Sequence, residues 1–248
     1  LVYDWGFFGI TADPTRHLVY TTKRYMGAQG LWAITSTLTP LDFGLQYKVN
    51  TGDNLPYSLI YNRATDHLYV TFPHLNELRV YDPRDFSLWR TFATQQQAPD
   101  ASSTDGGKGM AVMGQCVYNA NFAAQSVSVL AEGPCTDPSQ GQSQSFALPQ
   151  MQEMSGPPGT ITIFLDPRIY LPMVMKNWQA YPYVNHIAVG GRPKGLAAGG
   201  GIVFVTLPEQ NRVAVIDTRQ GSVVRWIPTQ GTYPHTAVIV YDSPWPNP

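Results

Sequence analysis

Residues 68–92 and 203–227 read LYVTFPHLNELRVYDPRDFSLWRTF and VFVTLPEQNRVAVIDTRQGSVVRWI, and they align without a gap at an offset of 135 positions. Val70, Thr71, Pro73, Asn76, Val80, Asp82, Arg84, Ser87 and Arg90 match Val205, Thr206, Pro208, Asn211, Val215, Asp217, Arg219, Ser222 and Arg225. Nine ungapped identities mark a duplicated supersecondary unit rather than a shared composition. Within each copy, Val, Ile, Phe and Tyr suit a pleated, half-buried surface, and Pro, Asn, Asp and Gly clusters interrupt it. Four short strands per unit, repeated every 40–50 residues or so, are what a β-propeller blade requires.

Tyr69-Val70-Thr71 resembles the strand that names the YVTN family of β-propellers, with Phe72 in place of its Asn. The second copy keeps only Val205-Thr206 of that signature. The strand at 213–218 and the preceding run from Gly191 to Ala197 also look like the family's blade pattern. The resemblance implies an all-β fold of four-stranded antiparallel blades in a bacterial surface or periplasmic protein. It says much less about activity, because propellers that resemble this one act as lactonases, lyases or quinone- and haem-assisted oxidoreductases.

The 248 residues suffice for one sizeable core, and residues 1–248 are read as one domain with a Pro-rich tail at 242–248. Only 13% of residues are charged, while Gly (22) and Pro (21) are abundant, as many short strands joined by tight turns require. A net charge of −1 without a Lys/Arg cluster argues against a nucleic-acid partner. No apolar run reaches a membrane span, and Leu1-Val2-Tyr3-Asp4 is not a signal peptide, so a mature chain with its leader removed is expected. Low charge and the absence of an Asn-x-Ser/Thr sequon point to the bacterial periplasm or cell surface. Cys116 and Cys135 are the only cysteines. In an oxidising compartment they are expected to close a disulfide loop of roughly 20 residues; the alternative is two buried thiols.

In order, blade one takes strands at 7–11, 17–22, 31–36 and 46–50, and blade two at 58–61, 68–72, 77–81 and 88–92. Aligning His17-Leu18 with His67-Leu68 gives both histidines the same second-strand start. Blade three takes 108–113, 115–121, 126–131 and 145–148; blade four takes 161–165, 168–175 and an outer strand at 183–189. The 203–227 unit is then blade five, three units after its twin. The inner-strand pattern at 236–241, joined to residues 1–3, offers a composite sixth blade. The count is therefore about five, or six if the ends join.

Inner strands open just after a Pro or Gly: Tyr57 after Pro56, Lys108 after Gly107, Lys194 after Pro193 and His235 after Pro234. In a propeller these starts converge on one mouth of the central channel. A ring of Lys108, Arg192, Lys194 and His235, lined by Trp5 and Tyr57, would offer cations and π faces to an anionic or planar ligand. The plainer reading is that these side chains only plug the mouth. His17, His67, His74, His186 and His235 lack ligand spacing, so no metal site is expected. Met151, Met154, Met173 and Met175 read as gap-fillers. Asp13, Asp82, Asp166 and Asp217 read as turn caps.

No catalytic motif is present. The favoured function is a non-enzymatic binding or scaffold propeller at the cell envelope, engaging another protein or an anionic small ligand. The polar loops at 94–107 and 132–143 are further candidate recognition surfaces. The alternative is a propeller enzyme with its site at the mouth, in which Lys108, Lys194 and His235 would be the acid/base and electrostatic groups. No cofactor is indicated by the sequence.

Overall fold

The computed structural model describes residues 7–23, 30–35, 45–51, 55–98, 109–135, 182–229 and 234. They form four four-stranded antiparallel sheets. Blade one contains β1 (Phe7–Asp13), β2 (Leu18–Lys23), β3 (Gly30–Thr35) and β4 (Leu45–Asn50). Blade two contains β5 (Leu59–Asn62), β6 (His67–Phe72), β7 (Glu77–Tyr81) and β8 (Leu88–Ala93). Blade three contains β9 (Met110–Met113), β10 (Cys116–Asn121), β11 (Ser126–Ala131) and β12 (Tyr183–Ala188). Blade four contains β13 (Leu196–Gly199), β14 (Ile202–Leu207), β15 (Arg212–Asp217) and β16 (Ser222–Pro228). The inner strands β1, β5, β9 and β13 touch in that order, so the blades follow one another around an axis.

The duplicated residues each have a geometric duty. Asn76 and Asn211 take the left-handed conformation (φ 54° and 48°) that closes the turn between second and third strands. Asn tolerates this region better than most side chains. Asp82 and Asp217 accept the backbone N–H two residues on, from Arg84 and Arg219, each at 2.8 Å. Phe86 occupies the station of Gly221, both at positive φ (58° and 61°). A side chain is strained there, and Phe86 is retained because its ring is buried against Tyr20 between blades one and two.

The hydrophobic core lies between blades. Leu18, Tyr20, Leu31 and Ala33 pack on Leu59, Leu68, Val70, Phe72, Tyr81 and Phe86. Tyr69, Leu78 and Val80 pack on Val117 and Leu130. Tyr118, Ala120, Val127 and Val129 pack on Val203, Val205, Leu207, Ala214 and Ile216. Because side chains alternate across a strand, each second strand sends one set of residues to the preceding blade and the other to the next.

Three sequence expectations are corrected. The fourth position of blade three is held by Tyr183–Ala188, which pairs with β11 over six residues, from Ser126↔Ala188 to Ala131↔Tyr183. It is not held by residues 145–148, and 183–189 is not the outer strand of a separate fourth blade. Residues 145–148 and the strands expected at 161–165 and 168–175 lie outside the described residues, as do 1–3 and 236–241. The 203–227 unit is therefore in the fourth sheet, two units after its twin. Finally, His17 and His67 are not equivalent. The turns align Asp13 with Asn62, which accept the N–H of Thr15 and Ala64 respectively, each at 2.9 Å. That places His17 opposite Asp66, both at positive φ (54° and 57°), and Leu18 opposite His67.

Cys116 and Cys135 form a disulfide, with their Cα atoms 5.0 Å apart. The link ties the start of β10 to the chain just after β11, where Gln115 N donates to Pro134 O and Glu132 N to Gln115 O, both at 3.0 Å. For a sequence separation of 19, loop closure is worth about 3 kcal/mol. Reduction, or Cys116→Ser with Cys135→Ser, is expected to lower the unfolding free energy by that amount, read as a fall in the urea midpoint. A midpoint indifferent to reductant would show that the clip adds nothing to stability.

Candidate functional site

The inner strands all begin at one end of the blades, and a threonine fastens each of three starts. Thr22 Oγ1 accepts from Gly9 N at 2.9 Å, Thr71 Oγ1 from Ser58 N at 3.0 Å, and Thr206 Oγ1 from Gly195 N at 2.8 Å. Thr22 Oγ1 also donates across the blade boundary to Tyr57 O at 2.6 Å. The Thr shared by both copies of the repeat is thus the pin of the inner strand. In blade three its place is taken by Ala120, whose N–H donates to Gly109 O at 2.9 Å.

These bonds give Gly9, Ser58, Gly109 and Gly195 the same station, and the residues before them the next one outward. Phe8, Tyr57 and Lys194 are therefore structurally equivalent. Tyr57 N and Lys194 N each donate to the carbonyl of the pinning Thr, at 2.9 and 3.1 Å. Neighbouring starts are in contact. A Cβ on Gly109 would come within 2.3 Å of Lys194 O, and one on Gly9 within 3.0 Å of Tyr57 O. Small residues here let adjacent inner strands approach backbone to backbone.

At this end cations lie on aromatic rings, blade after blade. The Lys23 ammonium is 5.0 Å from the Trp32 ring centre, and the Arg79 guanidinium 4.3 Å from Phe72. Arg192 and Lys194 both lie over Phe122, at 5.3 and 5.8 Å. Phe122 opens the β10–β11 turn of blade three and is buried. Arg192 Nη1 also donates to Glu209 Oε1 at 3.0 Å, from the short helical turn Pro208–Gln210. Ring quadrupoles stabilise such cations, and the arrangement can accept a planar or anionic group.

Of the ring read from the sequence, Tyr57, Arg192 and Lys194 are described, while Trp5, Lys108 and His235 lie outside the described residues. Arg192 and Lys194 come together on Phe122. Tyr57 is buried, its ring 5.0 Å from that of Phe8. Phe8, Phe122 and Glu209 went unread, since only the strand register identifies their stations. Among the described residues no group of three or more His, Cys, Asp or Glu could hold a metal ion.

The opposite end of the blades carries a different cluster. Arg16 donates to Asp13 Oδ2 at 2.5 Å, to Asp66 at 2.7 and 2.6 Å, and to the Tyr61 hydroxyl at 3.2 Å. Arg84 adds a bond to Asp66 Oδ2 at 2.8 Å. The Arg16 guanidinium holds the Asp66 carboxyl below its ordinary range, and burial pushes the Tyr61 phenol up. These groups are saturated by one another across the boundary of blades one and two. Their duty is cohesion.

No family model and no curated protein matches the chain. Solved structures do. Virginiamycin B lyase from Staphylococcus aureus aligns over 92% of this chain and 57% of its own, with a TM-score of 0.57 at 11% identity. A putative 6-phosphogluconolactonase from Bacteroides uniformis aligns over 90% and 55%, with a TM-score of 0.58 at 10% identity. Dihydro-heme d1 dehydrogenase NirN aligns over 92% and 38%, with a TM-score of 0.56 at 13% identity. The fold is an all-β propeller. The chain spans about half the length of the first two of these structures. No helix among the described residues is long and apolar enough to cross a membrane.

Proposed function

We propose that this is a YVTN-type propeller of the bacterial envelope that binds, rather than transforms, an anionic ligand or the acidic segment of a partner protein. The observation that carries the reading is the pair Arg192 and Lys194 over Phe122, at the blade end where the inner strands start. A carboxylate or phosphate there meets two cations backed by an aromatic face. Lys108 and His235, and the aromatic rings of Trp5 and Tyr57, would complete the ring. The disulfide supports an oxidising compartment.

The test is fluorescence anisotropy with a labelled polyglutamate peptide as probe. Arg192→Ala with Lys194→Ala is expected to weaken binding at least tenfold, about 1.4 kcal/mol, while leaving the thermal melt unchanged. Added salt should weaken the native complex too. Equal binding by the double variant would move recognition to the loops at 94–107 and 132–143.

A second reading, a propeller enzyme at the same mouth, rests on the lyase and lactonase among the similar structures. Lys108, Lys194 and His235 would then be its acid/base and electrostatic groups. Turnover of a simple lactone or an elimination substrate that Lys194→Ala abolishes would favour it over binding alone.

A further inference from the structure

We propose that Glu209 is a resident competitor for the ligand's own acid group, so that the anion site fills by exchanging one carboxylate for another. The inference deepens the binding reading above and rests on it. Glu209 Oε1 accepts from Arg192 Nη1 at 3.0 Å, and the same guanidinium shares the Phe122 ring with Lys194. A carboxylate of this chain therefore already sits on one of the two cations that would receive a ligand. The β14–β15 turn as a whole brings it there by lying along residues 190–192. Gln210 Oε1 is packed so closely on Gly191 that a Cβ at that glycine would come within 2.3 Å of it. Arg212 Nη2 donates to Gly190 O at 2.9 Å. The turn itself is tied down, since Asn211 N donates to Pro208 O at 3.2 Å and Pro208 is buried.

The fold does not demand an acid at this station. Asn76, Gln125 and Asn211 take the left-handed conformation at the same point of the turn in blades two, three and four. Two residues earlier, where blade four has Glu209, blade two has His74 and blade three Ala123. The strength of the contact also suits exchange. The side chains of Arg192 and Glu209 are 44% and 37% exposed, and an ion pair so open to water is weak. A ligand carboxylate that meets the guanidinium with a two-bond fork makes the stronger contact, and Lys194 lies beside it on the same ring. Until that ligand arrives, Glu209 offsets the repulsion between two cations brought together on Phe122.

A double-mutant cycle read by anisotropy of the labelled polyglutamate peptide tests this. Glu209→Gln should bind the probe about three- to fivefold more tightly than the native chain, the gain from removing one exposed ion-pair competitor, with an unchanged thermal melt. In the Arg192→Ala background the same substitution should have no effect, because the competitor has lost the cation it occupies. A gain that persists without Arg192 overturns the proposal, since Glu209 would then act only through its field. A lowered melt with no gain in affinity overturns it too, by making Glu209 a structural counter-ion. Native binding that Glu209→Gln leaves unchanged refutes the exchange and leaves the binding reading standing. A probe that binds neither form refutes both.

Discussion

Tyr69→Ala should cost about 3–5 kcal/mol of unfolding free energy, the range for deleting a large buried ring. Tyr69 is fully buried between blades two and three, in contact with Leu78, Val80, Val117 and Leu130. Its hydroxyl donates to Glu132 Oε1 at 2.6 Å, and the other Glu132 oxygen meets His67 Nδ1 at 2.9 Å. Tyr69→Phe keeps the packing and removes one donor from that buried carboxylate, so about 1–2 kcal/mol is expected. Urea titration of the pair separates ring from hydroxyl; equal losses would place the whole effect in the hydrogen bond. The same residues set an alkaline limit. Burial pushes the phenols of Tyr20, Tyr69 and Tyr118 above their ordinary value of 10.0. A raised folded value means their contribution is complete below the ordinary value and declines as pH climbs past it. Phenolate absorbance from these three should therefore appear only with unfolding.

Arg16→Ala is expected to cost about 3 kcal/mol. The side chain binds a fully buried carboxylate, Asp13, and a partly exposed one, Asp66, across the boundary of blades one and two. Its loss leaves Asp13 with backbone donors alone, from Thr15 and Arg16 at 2.9 and 3.2 Å. The pH profile carries a further signature. Asp66 is held below its ordinary value of 3.8, first by the Arg16 hydrogen bonds. A depressed folded value gives stability that is present above the ordinary value and lost as pH falls through the folded one. In Arg16→Ala the acid limb attributable to Asp66 should shrink, as urea midpoints taken at descending pH would show. An unchanged acid limb would assign the bridge a merely geometric role.

Much of this fold was legible because local chemistry repeats with the blade. Thr71 and Thr206 recur because a hydroxyl pins the inner strand in both of their blades, and Asn76 and Asn211 because a turn needs the left-handed region. The fourth strand of blade three was not legible. Between Cys135 and Tyr183 the chain no longer places neighbours in space next to one another in sequence. The His17/His67 pairing failed differently: apolar runs look alike when slid by one residue, and the slip reverses every face. The turn aspartate and asparagine, Asp13 and Asn62, fix the true register. That Arg192 and Lys194 lie close together was legible from their positions on either side of Pro193. Phe122 was not, since it belongs to another blade's turn. Glu132 and Arg16 were missed because their partners lie 63 and 50 residues away.

The late arrival of β12 bears on how the chain is built during synthesis. Domains form from the N-terminus onward as the chain emerges. The edge of β11 then stays bare until some fifty further residues have been made, and a bare edge invites pairing with foreign strands. Cys135 emerges long before Tyr183. An oxidant can therefore lock β10 and β11 as soon as Cys135 appears, holding the hairpin in register through the interval in which it has no outer neighbour.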